Sequence, residues 1–200
     1  KGKLIDIIFK KNFSKKNKKM NKNILSTFQV VIMAGGLGTR MDPYTRILPK
    51  PLIPFGRDPI IKVIMDKFAD FGLRKFIISL GDKSKMIKSY FQDHDLDYSI
   101  DFIEEKKPLG TIGALSFLQK KLKKDFFLIN CDTIIHSDYS SIMDFHKDNK
   151  HDITLVGAMQ NYQLPFGVCE FDKKGNLIKF REKPNFDHVV NSGLYVINPK

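Results

Sequence analysis

The sequence predicts an α/β domain: a doubly wound, mainly parallel sheet with helices on both faces and an antiparallel hairpin addition. Three observations predict it. Short apolar runs and amphipathic stretches alternate up to residue 159, the order expected of parallel strands joined by crossovers. Residues 166–184 then read as two β runs around "DKKG", a hairpin signal. The 200 residues are 42% hydrophobic, which suits one domain with a real core and argues against wholesale disorder.

The elements follow in order. "FQVVIM" (28–33) is a buried strand. "DPIIKVIMDKFADFG" (58–72) is a helix with Asp58 as N-cap, Pro59 at the first helical position and Gly72 as the stop. Its apolar stripe is Ile60, Ile61, Ile64, Met65 and Phe68. "KFIISL" (75–80) is a strand, "SKMIKSYFQD" (84–93) a helix and "YSIDFIEE" (98–105) a strand. "TIGALSFLQKKL" (111–122) is a helix capped by Thr111, and "DFFLIN" (125–130) is a strand. A helix over 138–149, a strand over 152–159, the hairpin and a final strand over 189–198 complete the order.

Residues 27–200 form the domain, and 11–26 form a Lys/Asn-rich linker. "FKKNFSKKNKKMNKN" (9–23) holds seven lysines and no apolar periodicity, so much of the net charge of +12 sits in a solvated segment. A specific anionic partner for that run stays open as the alternative. No nucleic-acid module with base-stacking aromatics is evident. No apolar run approaches the ~20 residues of a membrane helix, and Lys1 to Phe9, interrupted by Asp6, is too short for a secretory signal. Cys131 and Cys169 form neither CxxC nor a zinc pattern, so two free thiols in a reducing cytoplasm are expected. The chain starts at Lys and stops after "VINPK", which suggests a piece of a longer protein; "KLIDIIFK" (3–10) reads as the last strand of something upstream.

Ligands of open α/β sheets bind outside the carboxyl ends of the strands, and four segments of that kind carry unusual residues. The first is "MAGGLGTR" (33–40). It is neither G-x-G-x-x-G nor a P-loop. Pro43, Pro49, Pro51 and Pro54 send the chain through an extended excursion instead of a helix. The glycines either make a tight turn or let the backbone approach an anion; oriented amides with Arg40 and Lys50 suit a triphosphate. The second is "NCD" (130–132), where Asp132 is either a turn residue or a ligand for Mg²⁺, an ion held by one or two carboxylates plus substrate phosphates. The third is "EEKKPLGT" (104–111). Gly110 would admit a flat base, and Glu105, an acceptor, would match the N1 and N2 donors of guanine; a surface charge cluster is the other reading. The fourth is "REKP" (181–184) with "NSG" (191–193). Glu182 and Asn191 would meet sugar hydroxyls and Lys183 a sugar phosphate, or the segment is an exposed hairpin end.

Together these stretches resemble the sugar-nucleotide pyrophosphorylase family, whose signature runs roughly A-G-G-x-G-T-R-L-x-P-x-T-x-x-x-P-K-P-L-x-P. Here "AGGLGTRMDPYTRILPKPLIP" stands at 34–54, followed in the family's order by "PLGTIGAL" (108–115), "FLINCD" (127–132), "FREKP" (180–184) and "VNSGLY" (190–195). The resemblance implies the Rossmann-like nucleotide-diphospho-sugar transferase fold, incomplete at its C-terminal end. It implies transfer of a nucleotidyl group from an NTP, GTP favoured, to a sugar 1-phosphate, with Mg²⁺ as cofactor, in the cytoplasm. Carried over by position, Ala34, Gly35, Gly36, Gly38 and Thr39 would cradle the nucleotide, and Arg40 and Lys50 would contact its phosphates. Glu105 and Gly110 would meet the base and Asp132 the metal. Gly167, Glu182 and Asn191 would face the sugar, and Lys183 its phosphate.

The chain departs from the pattern at Cys131, where the family has Gly, and the family's second metal-binding aspartate belongs to a segment after residue 200. A finer likeness, to bacterial members with an upstream CBS pair, would make 1–10 the tail of that pair. Some such enzymes make GDP-activated amino sugars for surface glycans. No membrane or nucleic-acid partner is expected, and a homo-oligomer stays open. Two rival readings are a catalytically silent homologue that binds a sugar nucleotide and regulates a partner, and a nucleic-acid binder using the lysine run.

Overall fold

The computed structural model describes residues 25–36, 38–94, 96–105, 113–118 and 121–200. The segments 3–10 and 9–23, Thr111 and Gly110 lie outside them. Two compact units result. The first takes the described residues up to Leu155 together with Gly193–Lys200, and the second is Val156–Ser192.

The strands are β1 (Gln29–Ala34), β2 (Pro54–Phe55), β3 (Asp58–Pro59), β4 (Lys75–Leu80), β5 (Ser99–Glu104), β6 (Phe126–Asn130), β7 (Ile153–Gln163), β8 (Val168–Phe171), β9 (Leu177–Arg181) and β10 (Asn185–Ile197). The helices are α1 (Tyr44–Ile47), α2 (Ile60–Ala69), α3 (Ser84–Gln92) and α4 (Tyr139–Asp148). The main sheet has the order β5-β4-β1-β6-β10-β7. Strands β5, β4, β1 and β6 are parallel, and β10 pairs antiparallel with β6. The chain leaves β1 toward β4 on one side and reaches β6 on the other, so β1 is the switch point of a doubly wound sheet.

Both faces of the central parallel strands β1, β4 and β6 are apolar, which is why these segments read as continuous runs without alternation. On one face Val31, Ile77, Phe126 and Leu128 pack with Leu118 and Leu122. These last two follow a short 3₁₀ segment, Gly113–Phe117. On the other face Phe68 of α2 contacts Phe127 of β6 at 5.5 Å between ring centres and stacks on Tyr139 of α4 at 4.2 Å. Phe91 of α3 meets Phe102 of β5 on that same face.

Five local expectations differ from the structure. Asp58 is not the cap of the helix over 58–72. Asp58 and Pro59 pair antiparallel with Phe55 and Pro54, and α2 starts at Ile60 with Pro59 extended before it. The reason is that the fixed φ of proline suits an extended residue as well as a first helical turn. Residues 43–54 are not extended throughout either: after a first 3₁₀ turn at Thr39–Met41 they hold α1 and a second 3₁₀ turn, Lys50–Leu52. Pro43 precedes α1 and Pro49 precedes the second turn, places where a missing N–H costs nothing. Of the helix expected over 111–122, the described residues hold the 3₁₀ segment Gly113–Phe117. The strand expected over 152–159 extends to Gln163, and the last strand begins at Asn185.

Other local signals held. Asp138 caps α4, its carboxylate accepting from the amides of Ser140 and Ser141. The turn "DKKG" is closed by Asp172, which accepts from the amides of Lys174 and Asn176 at 2.8 and 2.9 Å. In the second unit β8 and β9 pair antiparallel from Val168↔Arg181 to Phe171↔Leu177.

The aromatic contact between α2, β6 and α4 ties two helices to the central sheet. Phe68 is fully buried, so Phe68→Ala is expected to cost about 3–5 kcal/mol, the price of a large cavity. Urea unfolding of the protein, read as a shift in midpoint at constant slope, checks it.

Candidate active site

The parallel strands end side by side. Ala34 of β1 is in register with Leu80 of β4, Leu80 with Glu104 of β5, and Met33 with Asn130 of β6. Three of the four segments singled out in the sequence, after β1, β5 and β6, therefore emerge at one edge of the sheet.

The loop after β1 is held by packing. A Cβ on Gly35 would lie 2.8 Å from Oε1 of Glu105. A Cβ on Gly81, the residue after β4, would collide with the Gly35 carbonyl oxygen and come within 3.0 Å of its Cα. The two loops close on each other only because neither position carries a side chain. Gly38 adopts the left-handed conformation, φ 68°, which favours glycine. Its carbonyl accepts from Thr45 Oγ1 at 3.1 Å and from the Met41 amide at 2.9 Å. Gly36 is different. Its Cβ would meet nothing within 4 Å, and the residue is exposed. Thr39 and Arg40 lie in the 3₁₀ turn that follows.

Lys83 braces the same region from the loop after β4. Its ammonium donates to the carbonyls of Thr45 and of Arg46, the latter at 2.9 Å. A cation there satisfies carbonyls at the C-terminal end of α1. Neither Lys83 nor Gly81 stood out in the sequence; the glycine directly after the buried run "KFIISL" was the available signal.

Glu105 is held on two sides. Its amide donates to the Leu80 carbonyl at 2.9 Å, and its Oε1 accepts from the Ser79 hydroxyl at 2.5 Å. Glu105 is half-buried, beside Gly35.

After β6, Lys50 Nζ and Asp132 Oδ2 form an ion pair across 82 residues of sequence. Both side chains keep solvent contact, 23% and 38% exposed. Lys50 also borders Gly38, whose Cβ would be 3.2 Å from Lys50 Cβ. Asp132 is thus joined through Lys50 to the glycine loop. Among the described residues no group of three or more His, Cys, Asp and Glu side chains gathers to hold a metal. Asp132 nevertheless offers hard oxygen donors at a solvent-facing edge and already receives a cation. That donor set fits Mg²⁺, which binds one or two carboxylates and takes its remaining ligands from phosphates and water.

Cys131 is buried with its amide donating to the Met33 carbonyl at 3.2 Å, so it points into the protein and not into the cleft edge. Burial, with the Asp132 charge second, pushes its thiol up to about 12. Gly167, Glu182, Lys183 and Asn191 belong to the second unit. There a Cβ on Gly167 would lie 2.6 Å from Phe180 and 3.1 Å from Glu182 Oε2, so Gly167 and Glu182 are neighbours across the open end of the β8–β9 hairpin. Lys183 follows with φ 42°.

The family described as Nucleotidyl transferase matches residues 29–200. The chain belongs to the nucleotidyl transferase family. It is 34% identical to a mannose-1-phosphate guanyltransferase of Debaryomyces hansenii over 178 residues, covering 84% of this chain and 49% of that protein. The protein of the same name from Candida albicans is 35% identical with the same coverage. The chain spans about half the length of the curated relatives it matches. Among solved structures it is similar to HddC from Yersinia pseudotuberculosis, 30% identical with a TM-score of 0.66, covering 86% of this chain and 77% of that one. A second crystal structure of HddC, complexed with GMP-PN, gives a TM-score of 0.67 at 29% identity. The fold is that of these nucleotidyl transferase family neighbours.

The environment of Cys131 sets its reactivity. A thiol that ionises near 12 and is shut away from water holds almost no thiolate at pH 8. A thiol reagent applied to the folded protein at pH 8 is expected to label Cys169, which is exposed, and to reach Cys131 only after denaturant is added.

Proposed function

We propose that this chain supplies the nucleotide-binding and metal-binding part of a sugar-1-phosphate guanylyltransferase, an enzyme that joins GTP to a sugar 1-phosphate and releases pyrophosphate. The observation that carries the reading is the Lys50–Asp132 pair set against the glycine loop at the switch point of the sheet. A lysine and a metal-type carboxylate have no packing reason to meet there, and phosphate chemistry needs both. Two of the three signature glycines have internal causes; Gly36, open to solvent, is the position at which close approach of a phosphate oxygen remains the physical reason. The names of the curated relatives favour mannose 1-phosphate as the sugar substrate, and the GMP-PN bound by HddC favours a guanine nucleotide.

The mechanism is a single in-line displacement. A phosphate oxygen of the sugar 1-phosphate forms a bond to the α-phosphorus of GTP as the bond to the β-phosphate oxygen breaks. No covalent enzyme intermediate is required, and the loops at this edge offer cations and amides instead of a nucleophile with its base. Amides of the loop after Ala34, from Gly35 through Thr39, hold the phosphates, and Arg40 and Lys50 offset the repulsion between the two anions. Asp132 is the residue that would hold Mg²⁺, which when bound supplies charge neutralisation on the phosphate oxygens. Lys50 then exchanges its carboxylate partner for a phosphate oxygen. Glu105 accepts from the N1 and N2 donors of guanine, with Gly110 beside the base. In the second unit Gly167, Glu182, Lys183 and Asn191 are assigned to the sugar phosphate.

Pyrophosphate release by the full-length enzyme with Mg²⁺, crossing four NTPs with mannose, glucose, glucosamine and N-acetylglucosamine 1-phosphates, tests the reading. Release with GTP and one sugar phosphate is the expected result. NTP binding without release from any pair would instead favour the silent regulatory homologue. Arg40→Ala is expected to lower turnover by ~10³ or more, as for other charge-stabilising arginines in phosphoryl transfer. Near-normal release from that variant would remove Arg40 from the reaction. Glu105→Gln, of the same shape, is expected to lower the preference for GTP over UTP, and an unchanged ratio would remove Glu105 from base reading.

A further inference from the structure

Ser79 is the one polar side chain in the buried part of β4, whose other members are Phe76, Ile77, Ile78 and Leu80, and it is fully inaccessible to solvent. Its backbone is committed to the parallel sheet between Met33 of β1 and Ile103 of β5. A buried hydroxyl must find a partner of its own. A strand flanked on both sides would otherwise take valine or isoleucine at this position. The partner is Oε1 of Glu105, at 2.5 Å, one residue past the end of the neighbouring strand.

That same oxygen faces Gly35, where any Cβ would intrude to 2.8 Å, and Gly35 is in turn pressed by Gly81, two residues after Ser79. Glu105 is thus gripped at its amide by Leu80, at one carboxylate oxygen by Ser79, and across the carboxylate by the bare backbone of Gly35. Three consecutive residues, Ser79, Leu80 and Gly81, build this grip. A glutamate on a loop has three rotatable side-chain bonds and ordinarily loses that freedom on engaging a ligand. Here the freedom is lost on folding.

We propose that Ser79 is a positioning residue for nucleotide selection: by donating to Oε1 it holds the Glu105 carboxylate in the plane that meets the paired N–H donors of guanine. The proposal rests on the guanylyltransferase reading above. Ser79 does not touch the nucleotide. It acts on the choice among bases, whereas a purely structural serine would affect every nucleotide alike.

The test is equilibrium binding of GTP and of UTP, each with Mg²⁺, to the full-length enzyme and to Ser79→Ala, Glu105→Gln and the double variant. Ser79→Ala is expected to lower the GTP-over-UTP affinity ratio about tenfold, in line with loss of a hydrogen bond to a charged group, with UTP affinity nearly unchanged. In the Glu105→Gln background the same change should leave the ratio where it is, because the two residues act as one unit. Equal losses for both nucleotides, or an unchanged ratio in Ser79→Ala while Glu105→Gln lowers it, overturn the proposal. A preference for GTP that survives Glu105→Gln overturns it as well, since the base is then read elsewhere. If the wild-type enzyme itself does not prefer GTP, it is the guanylyltransferase reading that fails first. Should Ser79→Ala not fold, Ser79→Cys keeps the volume with a weaker donor and must lower the ratio in the same direction.

Discussion

The closure of the β1 and β4 loops on one another is the constraint from which the rest of the site follows. The two strands run parallel and in register to their ends, so the loops leaving them compete for the same space. Glycine at 35 and at 81 resolves the competition by removing both side chains. Once the backbones are that close, the loop after β5 has one place left for its glutamate, over Gly35 and within reach of Ser79. The loop after β1 cannot continue straight and turns back through the left-handed residue Gly38 onto Thr45 and Lys50. A short sequence of contacts thus converts strand register into the placement of a carboxylate and a cation about a common edge.

Charge is distributed along that edge with little effect on stability. The Lys50–Asp132 pair keeps partial solvent contact, and pairs of that kind contribute about 0–1 kcal/mol. Its value lies in position. The two groups proposed to meet a phosphate and a metal are held in place, and separating them costs little. The buried thiol of Cys131 fits the same picture. It stands where family members carry glycine, but its side chain turns into the protein, with the backbone still bonded to Met33 of β1.

The central parallel strands were legible because their signal is local. "KFIISL" and "DFFLIN" are apolar throughout, as strands buried on both faces must be, and they fold within one residue of their expected bounds. Asp138 and Asp172 act where their sequence neighbours indicate, since a cap or turn bond spans only two to four residues. Proline is the ambiguous residue. The sequence points to a helix start at Pro59 and to extended chain over 43–54, yet Pro59 is extended before α2, and over 43–54 Pro43 is helical while Pro49 is extended; the same fixed φ permits both. The apolar pattern over 111–122 matches the packing of Leu115, Leu118 and Leu122 on the sheet, while the described segment Gly113–Phe117 is 3₁₀.

The sequence by itself determined the family, the alternation of elements and the residue types gathered at strand ends, because each is written in stretches of a few residues. It also marked Lys50, Asp132 and Glu105 as reactive candidates, without saying which would meet. Tertiary structure alone decided that Lys50 pairs with Asp132, that Glu105 rests on Gly35 and Ser79, and that two of three signature glycines serve packing. The contacts of Lys50 with Asp132 and of Glu105 with Ser79 join residues 82 and 26 positions apart, and their distances depend on strand register, which no local pattern encodes.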